Sequence, residues 1–345
     1  MKILVVNNAV PFVWGGAEEL ALNLTKRLNA LHGIEAELLR IPFRWEPKER
    51  IPAEIIANRN LGLVNVDRVI ALKFPAYLIE HDRKTIWLLH QFRQAYDLLD
   101  QNQSYLARGV DDELIGAVAA ADRRCFDEAR RIFANSPVTQ DRLWRYNQRR
   151  SEVLYPPLND EELFLPGPYG DYLLAGGRVA HGKRQHLLVE AARLANPECR
   201  LVIAGPPEDD EYAEELRRLV EVHGLADRVT LQLRLHTRTE IAQLVNNARA
   251  CVYIPFQEDS LGYVTMEAFA AARAVATTDD SGGLLEIVRH DRTGLICEPT
   301  AQSLANAFDR LSNGTTLARE LGAAARDLWI SRKIEWPHTL ERLLS

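Results

Sequence analysis

The chain has no apolar run long enough to cross a bilayer, which argues against a helical integral membrane protein. Its start, MKILVVNN, offers four apolar residues before two asparagines, too few for the core of a secretory signal. The four cysteines, Cys125, Cys199, Cys251 and Cys297, lie far apart without a C-x-x-C. Neither a disulfide framework nor a metal site is expected; they read as reduced, buried, small hydrophobic residues. An excess of positive charge is also missing, because 42 Lys and Arg face 48 Asp and Glu, for a net charge of −6. A general nucleic-acid binder is therefore excluded. Together these absences predict a cytoplasmic protein.

What is present is length and alternation. With 345 residues, 47% hydrophobic and 26% charged, the chain has enough material for two domains. Short apolar runs alternate with segments of helical spacing from Lys2 to about Arg145, and the alternation restarts at Tyr172, which is the pattern of two parallel sheets. Tyr155-Pro156-Pro157 is a stiff connection between the halves. The boundary is placed there, giving domains 1–157 and 158–328.

The most informative stretch is Phe256–Ala272, FQEDSLGYVTMEAFAAA. It follows the apolar run Ala250–Ile254, closed by Pro255, and leads into a small-residue helix expected to start near Val264. Its carboxylates, Glu258 or Asp259 and then Glu267, so fall at the carboxyl end of a strand, where open α/β sheets hold ligands. Gly262 between them lets a ligand approach the backbone. The helix start aims N–H groups at the same crevice, as a phosphate would require.

Further polar groups follow other strands. Gly176-Gly177 precede Arg178 and Lys183, a planar fork and a point charge suited to a pyrophosphate. Trp14-Gly15-Gly16 leads from the first strand into a helix, and can hold a phosphate or simply make a tight turn. His90 follows the strand run Thr85–Leu89; a backbone hydrogen bond at the strand end is its plainer explanation. Ser281-Gly282-Gly283 reads as further N–H donors or a turn, with Glu286 opening a helix. Residues 121–150 are rich in arginine, with acids interspersed. A solvated face is the simpler account; contact with an anionic membrane or lipid-linked acceptor is the sharper one.

In this order the motifs resemble family 4 of the retaining glycosyltransferases, which have the GT-B fold. The carboxylate stretch is similar to the family's E-x7-E motif, with Asp259 at the place of the first Glu. Gly15-Gly16-Ala17-Glu18 and Gly177-Arg178-x4-Lys183 are similar to its phosphate loops. The resemblance implies two Rossmann-like domains facing across a cleft, the first binding the acceptor and the second the donor, with the last helix, in 329–345, crossing back to the first domain. It further implies transfer of a hexose from a nucleotide diphosphate sugar, of UDP-glucose or GDP-mannose type, with retention. The acceptor would be a glycan, a lipid-linked sugar or a natural product. Arg178 and Lys183 would take the diphosphate, Glu267 the ribose, and Asp259 or Glu258 the sugar. Gly262, Tyr263 and Val264 would supply backbone donors. His90, Gly15 and Gly16 would reach the donor from the first domain. There is no D-x-D, so no cofactor or metal is expected. An epimerase of the same fold, or a binding subunit without catalysis, is the alternative.

Overall fold

The computed structural model describes residues 1–12 and 14–345. The chain forms two compact units, Met1–Pro157 with Glu335–Ser345, and Leu158–Ile334. Each is built on one six-stranded parallel sheet.

The first unit contains β1 (Lys2–Ala9), β2 (Glu35–Pro42), β3 (Arg68–Ala71), β4 (Lys84–Leu88), β5 (Arg131–Ala134) and β6 (Glu152–Val153). Their order is β2-β1-β3-β4-β5-β6. All five residues of β4 are buried, as expected for a central strand covered on both faces, whereas edge strand β2 is mostly accessible. Helix Gly16–Asn29 begins directly after the Gly15 loop. Helix Pro137–Asn147 begins at a Ser-Pro pair, with Ser136 Oγ accepting from Thr139 N at 3.1 Å and proline in its first turn.

The second unit contains β7 (Tyr172–Gly176), β8 (Arg200–Ala204), β9 (Val229–Gln232), β10 (Ala250–Val252), β11 (Val275–Thr278) and β12 (Gly294–Cys297), ordered β12-β11-β10-β7-β8-β9. Thr237 and Glu240, in a Thr-x-x-Glu pattern, form a capping box on helix Arg238–Asn246. Glu286 does not open a helix: residues Gly283–Glu286 make one 3-10 turn, which Glu286 ends. That turn is tied down by the hydrogen bond from Gly283 N to Glu258 O, 2.8 Å, so the Gly283 donor is spent inside the fold.

The chain returns to the first unit later than Trp329. Helix Thr316–Arg332 carries Trp329 within the second unit, where its indole donates to Glu161 at 2.7 Å. The last helix, Trp336–Leu344, buries Trp336, Leu340 and Leu343 against Ile3, Leu24 and Trp87 of the first unit. Each such side chain contributes on the order of 1.5–3 kcal/mol, enough to fix a nine-residue helix that propensity alone would not.

Both units also bury charge. Arg273 is fully buried over the Tyr169 ring, 4.1 Å from its centroid, and donates to the carbonyls of Gly167 and Pro168 at 3.0 Å. It so fastens the approach to β7 onto the second sheet. In the first unit Lys84 Nζ is wholly enclosed and donates to Tyr77 O and Ile79 O, at 3.2 and 2.9 Å. Nearby, Asp122 accepts from Tyr77 Oη at 2.9 Å and Tyr96 Oη at 2.7 Å. Burial pushes the Asp122 carboxyl up to about 7, against the pull of the two hydroxyls.

A raised folded-state carboxyl value means the native state holds the proton longer than the unfolded chain. The stability contribution is complete below the ordinary carboxylate range and declines as pH rises toward 7. Asp122→Asn, which cannot ionise, should therefore gain stability relative to the wild type between pH 4 and pH 8, by a few kcal/mol at most. Urea unfolding of both proteins across that range measures it, and a pH-independent difference would contradict the buried titration.

Candidate functional site

The strand order decides where side chains can converge. In the second unit the chain runs from β7 outward to β8 and β9, then returns to place β10 on the other side of β7. The connections leaving β7 and β10 therefore diverge and open a crevice at the carboxyl ends of these two strands. Arg178 and Lys183 follow β7; Glu258, Asp259 and Glu267 follow β10. The structure thus brings the two motifs, far apart in sequence, to the same crevice.

Close packing holds the crevice walls. Gly177 has φ +94°, and a Cβ there would lie 3.0 Å from Val264 Cγ2, so the β7 loop touches the start of helix Tyr263–Ala270. Gly262, the N-cap of that helix, has φ +74°, and a Cβ would lie 2.6 Å from Tyr253 Cε1. Only glycine combines that conformation with that contact. The predicted role of Gly262 in ligand approach thus has a structural companion: it makes room for Tyr253.

Tyr253 links the two motifs. Lys183 Nζ donates to Tyr253 Oη at 2.9 Å and to the Glu258 carboxylate, while Tyr253 Oη donates to Glu258 Oε2 at 2.7 Å. Burial alone would push the Lys183 ammonium down; Glu258 and Tyr253 outweigh it and hold it above the ordinary lysine value. Arg178 is more open and pairs with Glu208 at 3.3 Å. Asp259 and Glu267 are both buried, Glu267 in the second turn of its helix. Glu267 Oε1 lies 2.8 Å from Arg238 Nη2, and Arg238 also makes a two-point contact with Asp160. Burial would draw this guanidinium down, yet the two carboxylates keep it above its usual value.

Arg184, beside Lys183, has φ +57° and spans the ends of β10 and β11. It donates to Ile254 O, Pro255 O and Thr278 Oγ1 at 2.8, 3.0 and 2.8 Å, and to both Asp280 oxygens at 2.7 Å. Sequence reasoning missed Tyr253, Arg238, Asp160 and Arg184. Tyr253 was read only as part of a buried run, and the partners of Arg238 and Arg184 lie at least 29 positions away (267 − 238). The signal available was an arginine beside Lys183 and a tyrosine just past an aliphatic strand.

The remaining candidates belong to the first unit. Gly15 is the N-cap of the first helix, and Glu18 in its first turn is buried and pairs with Lys73 at 3.0 Å. Gly16 is the first residue of that helix. His90 follows β4, and its Nδ1 donates to Gln91 O at 2.7 Å, so the neutral ring carries its proton on Nδ1. The backbone bond considered for His90 is therefore present, made to its sequence neighbour.

Comparison with known proteins follows the same lines. Residues 169–328 match the family model for glycosyl transferases group 1. Over 379 aligned positions the chain is 31% identical to the alpha-maltose-1-phosphate synthase of Mycobacterium tuberculosis, covering 97% of this chain and 95% of that protein. The chain belongs to the group 1 glycosyltransferases. It is 29% identical over 198 residues to the human alpha-1,3/1,6-mannosyltransferase ALG2, covering 51% of this chain and 47% of ALG2. The matches to several curated relatives span about a quarter to about half of their length. In structure, Anabaena HepE, solved with UDP-glucose, superposes with a TM-score of 0.74 at 18% identity, covering 100% of this chain and 98% of HepE. The fold is GT-B, with two Rossmann-like units. Among the described residues no helix is long and apolar enough to cross a membrane.

In this glycosyltransferase, Gly262→Ala should cost about 1–3 kcal/mol through its positive φ and the clash with Tyr253. Gly62→Ala, where a Cβ meets nothing within 4 Å, should be nearly neutral. Equal urea midpoints for the two variants would show that Tyr253 does not need the glycine.

Proposed function

We propose that the protein is a retaining hexosyltransferase whose second unit binds a nucleotide diphosphate sugar. One observation carries the reading: two cations and three carboxylates converge at the carboxyl ends of β7 and β10, where the strand order reverses. The family supplies the reaction class, and the chemistry of these residues suits its parts.

Arg178 and Lys183 would neutralise the diphosphate, as a leaving group whose charge grows along the reaction needs, without a metal ion. Glu267 would accept hydrogen bonds from the ribose hydroxyls. Because Glu258 already serves Lys183 and Tyr253, Asp259 is assigned to the sugar. Gly262, Tyr263 and Val264 would add backbone N–H groups, within the first turn of their helix. Catalysis would then rest on positioning and on charge stabilisation around an oxocarbenium-like sugar. The first unit would bind the acceptor and offer His90 and the Gly15-Gly16 loop to the donor. The acceptor would be a glycan, a lipid-linked sugar or a natural product, met at the cytoplasmic side.

Named relatives include both a maltose-phosphate synthase and mannosyltransferases, so a hexose is the level of detail they support. UDP-glucose, the ligand bound to HepE, is the first donor to try, with GDP-mannose as its rival.

Thermal shift against UDP, GDP, ADP and their sugars gives the test. The donor should raise the midpoint by mass action, about 2.7 kcal/mol of stabilisation at a hundredfold excess over its Kd. Glu267→Ala and Lys183→Ala should each remove most of that shift. No shift with any nucleotide would defeat the proposal. Product formation that needs no acceptor would replace the transferase with an epimerase.

A further inference from the structure

The arginines of residues 121–150 do not form one basic face. Arg124 pairs with Glu128 at 3.1 Å, Arg142 with Asp97 at 3.3 Å, and Arg145 with Asp100 at 3.1 Å; Arg149 pairs with Asp127. Arg130 and Arg131 are different. With Arg68 and Arg83 they line a cavity of about 370 Å³, completed by Thr85 and Ser345. Arg68 and Arg131 are the first residues of β3 and β5, and Arg83 directly precedes β4. The cavity therefore lies at the amino end of the first sheet. His90 lies seven positions beyond Arg83 along the β4 segment, roughly 20 Å of extended chain.

Three observations point to an anionic ligand. First, among the described residues none of the four guanidiniums has a carboxylate within ion-pair distance, in a chain that is acidic overall. Two acids adjoin these arginines in sequence: Asp82 gives Arg130 only its backbone carbonyl, at 3.0 Å from Nε, and the Asp67 carboxylate accepts from Lys2 N at 2.7 Å. Secondly, burial and then the like charges of Arg130, Arg83 and Arg131 draw the Arg68 guanidinium below its ordinary value. Four guanidiniums gathered with no ion-paired carboxylate among them are electrostatically unfavourable, and an anion would relieve that. Thirdly, structural duties use only part of the donor capacity. Arg68 Nη1 donates to the Leu343 and Leu344 carbonyls and so secures the last helix, and Arg131 Nη1 donates to Ser345 Oγ at 2.8 Å. Each guanidinium carries five N–H donors, so most remain for a ligand.

We propose that this cavity is a second anion site, separate from the donor crevice, that binds a phosphate group. Planar guanidinium forks match phosphate oxygens two at a time, and the volume admits a phosphomonoester or pyrophosphate. The phosphate comes either from a free ligand or from an anionic lipid headgroup.

The test titrates inorganic pyrophosphate at low ionic strength into the full chain by calorimetry. Arg83→Ser/Arg130→Ser, at two exposed positions, should weaken binding at least tenfold without lowering the unfolding midpoint. Lys183→Ala should retain this site, which separates it from the proposed donor site. Equal affinity in the wild type and the double variant would overturn the proposal, as would absence of binding to both pyrophosphate and vesicles. Flotation with phosphatidic acid vesicles, against phosphatidylcholine alone, identifies the source. Flotation lost in the double variant assigns a lipid phosphate; pyrophosphate binding without flotation assigns a free one.

Discussion

The reversal of strand order beside β7 is the constraint on which the rest of the second unit depends. A parallel sheet connected in one direction would send successive loops to the same side and cover its own carboxyl edge. By returning across β7 to β10, the chain leaves these two connections to part, and the diverging loops carry the cations and the carboxylates. The first unit repeats the arrangement, with β2 on one side of β1 and β3 on the other, which puts the Gly15-Gly16 loop beside its own reversal. The glycines at the second crevice follow from this geometry. Gly177 lets the β7 loop meet Val264, and Gly262 lets the helix meet Tyr253.

The charges at the crevice are held by one another. Lys183, Glu258 and Tyr253 form a closed set of hydrogen bonds, and Arg238 is shared between Asp160 and Glu267. Buried charge is costly unless paired, and removing one partner strands the other. Such sets fix side-chain positions before any ligand arrives. Arg184 does the same for the backbone, gathering the ends of β10 and β11 onto one guanidinium. The four-arginine cavity of the first unit contrasts with this pattern, because its cations meet each other instead of carboxylates.

The alternation of strands and helices, the connection at Pro156-Pro157, the caps at Ser136 and Thr237, and the order of the glycine and charge motifs were all legible in the sequence. Each rests on local spacing, where a residue's neighbours in the chain are its neighbours in space. Legibility failed where the partner was remote. Glu286 looked like a helix opening, but it ends a 3-10 turn whose start, Gly282 and Gly283, packs against the backbone of Glu258–Ser260. Trp329 looked like the start of the return to the first domain, yet Glu161 holds its indole in the second.

The sequence by itself determined the two sheets, their caps and turns, and which residues stand at the carboxyl ends of the strands. Tertiary structure alone decided which of those residues share charge. Lys183 meets Glu258 across 75 positions, and Arg238 meets Asp160 across 78. It also decided that Arg68, Arg83, Arg130 and Arg131, which look like ordinary surface arginines one by one, surround a single cavity. Periodicity encodes the face on which a side chain sits, but the partner of a long charged side chain depends on how strands are ordered, which no local pattern records.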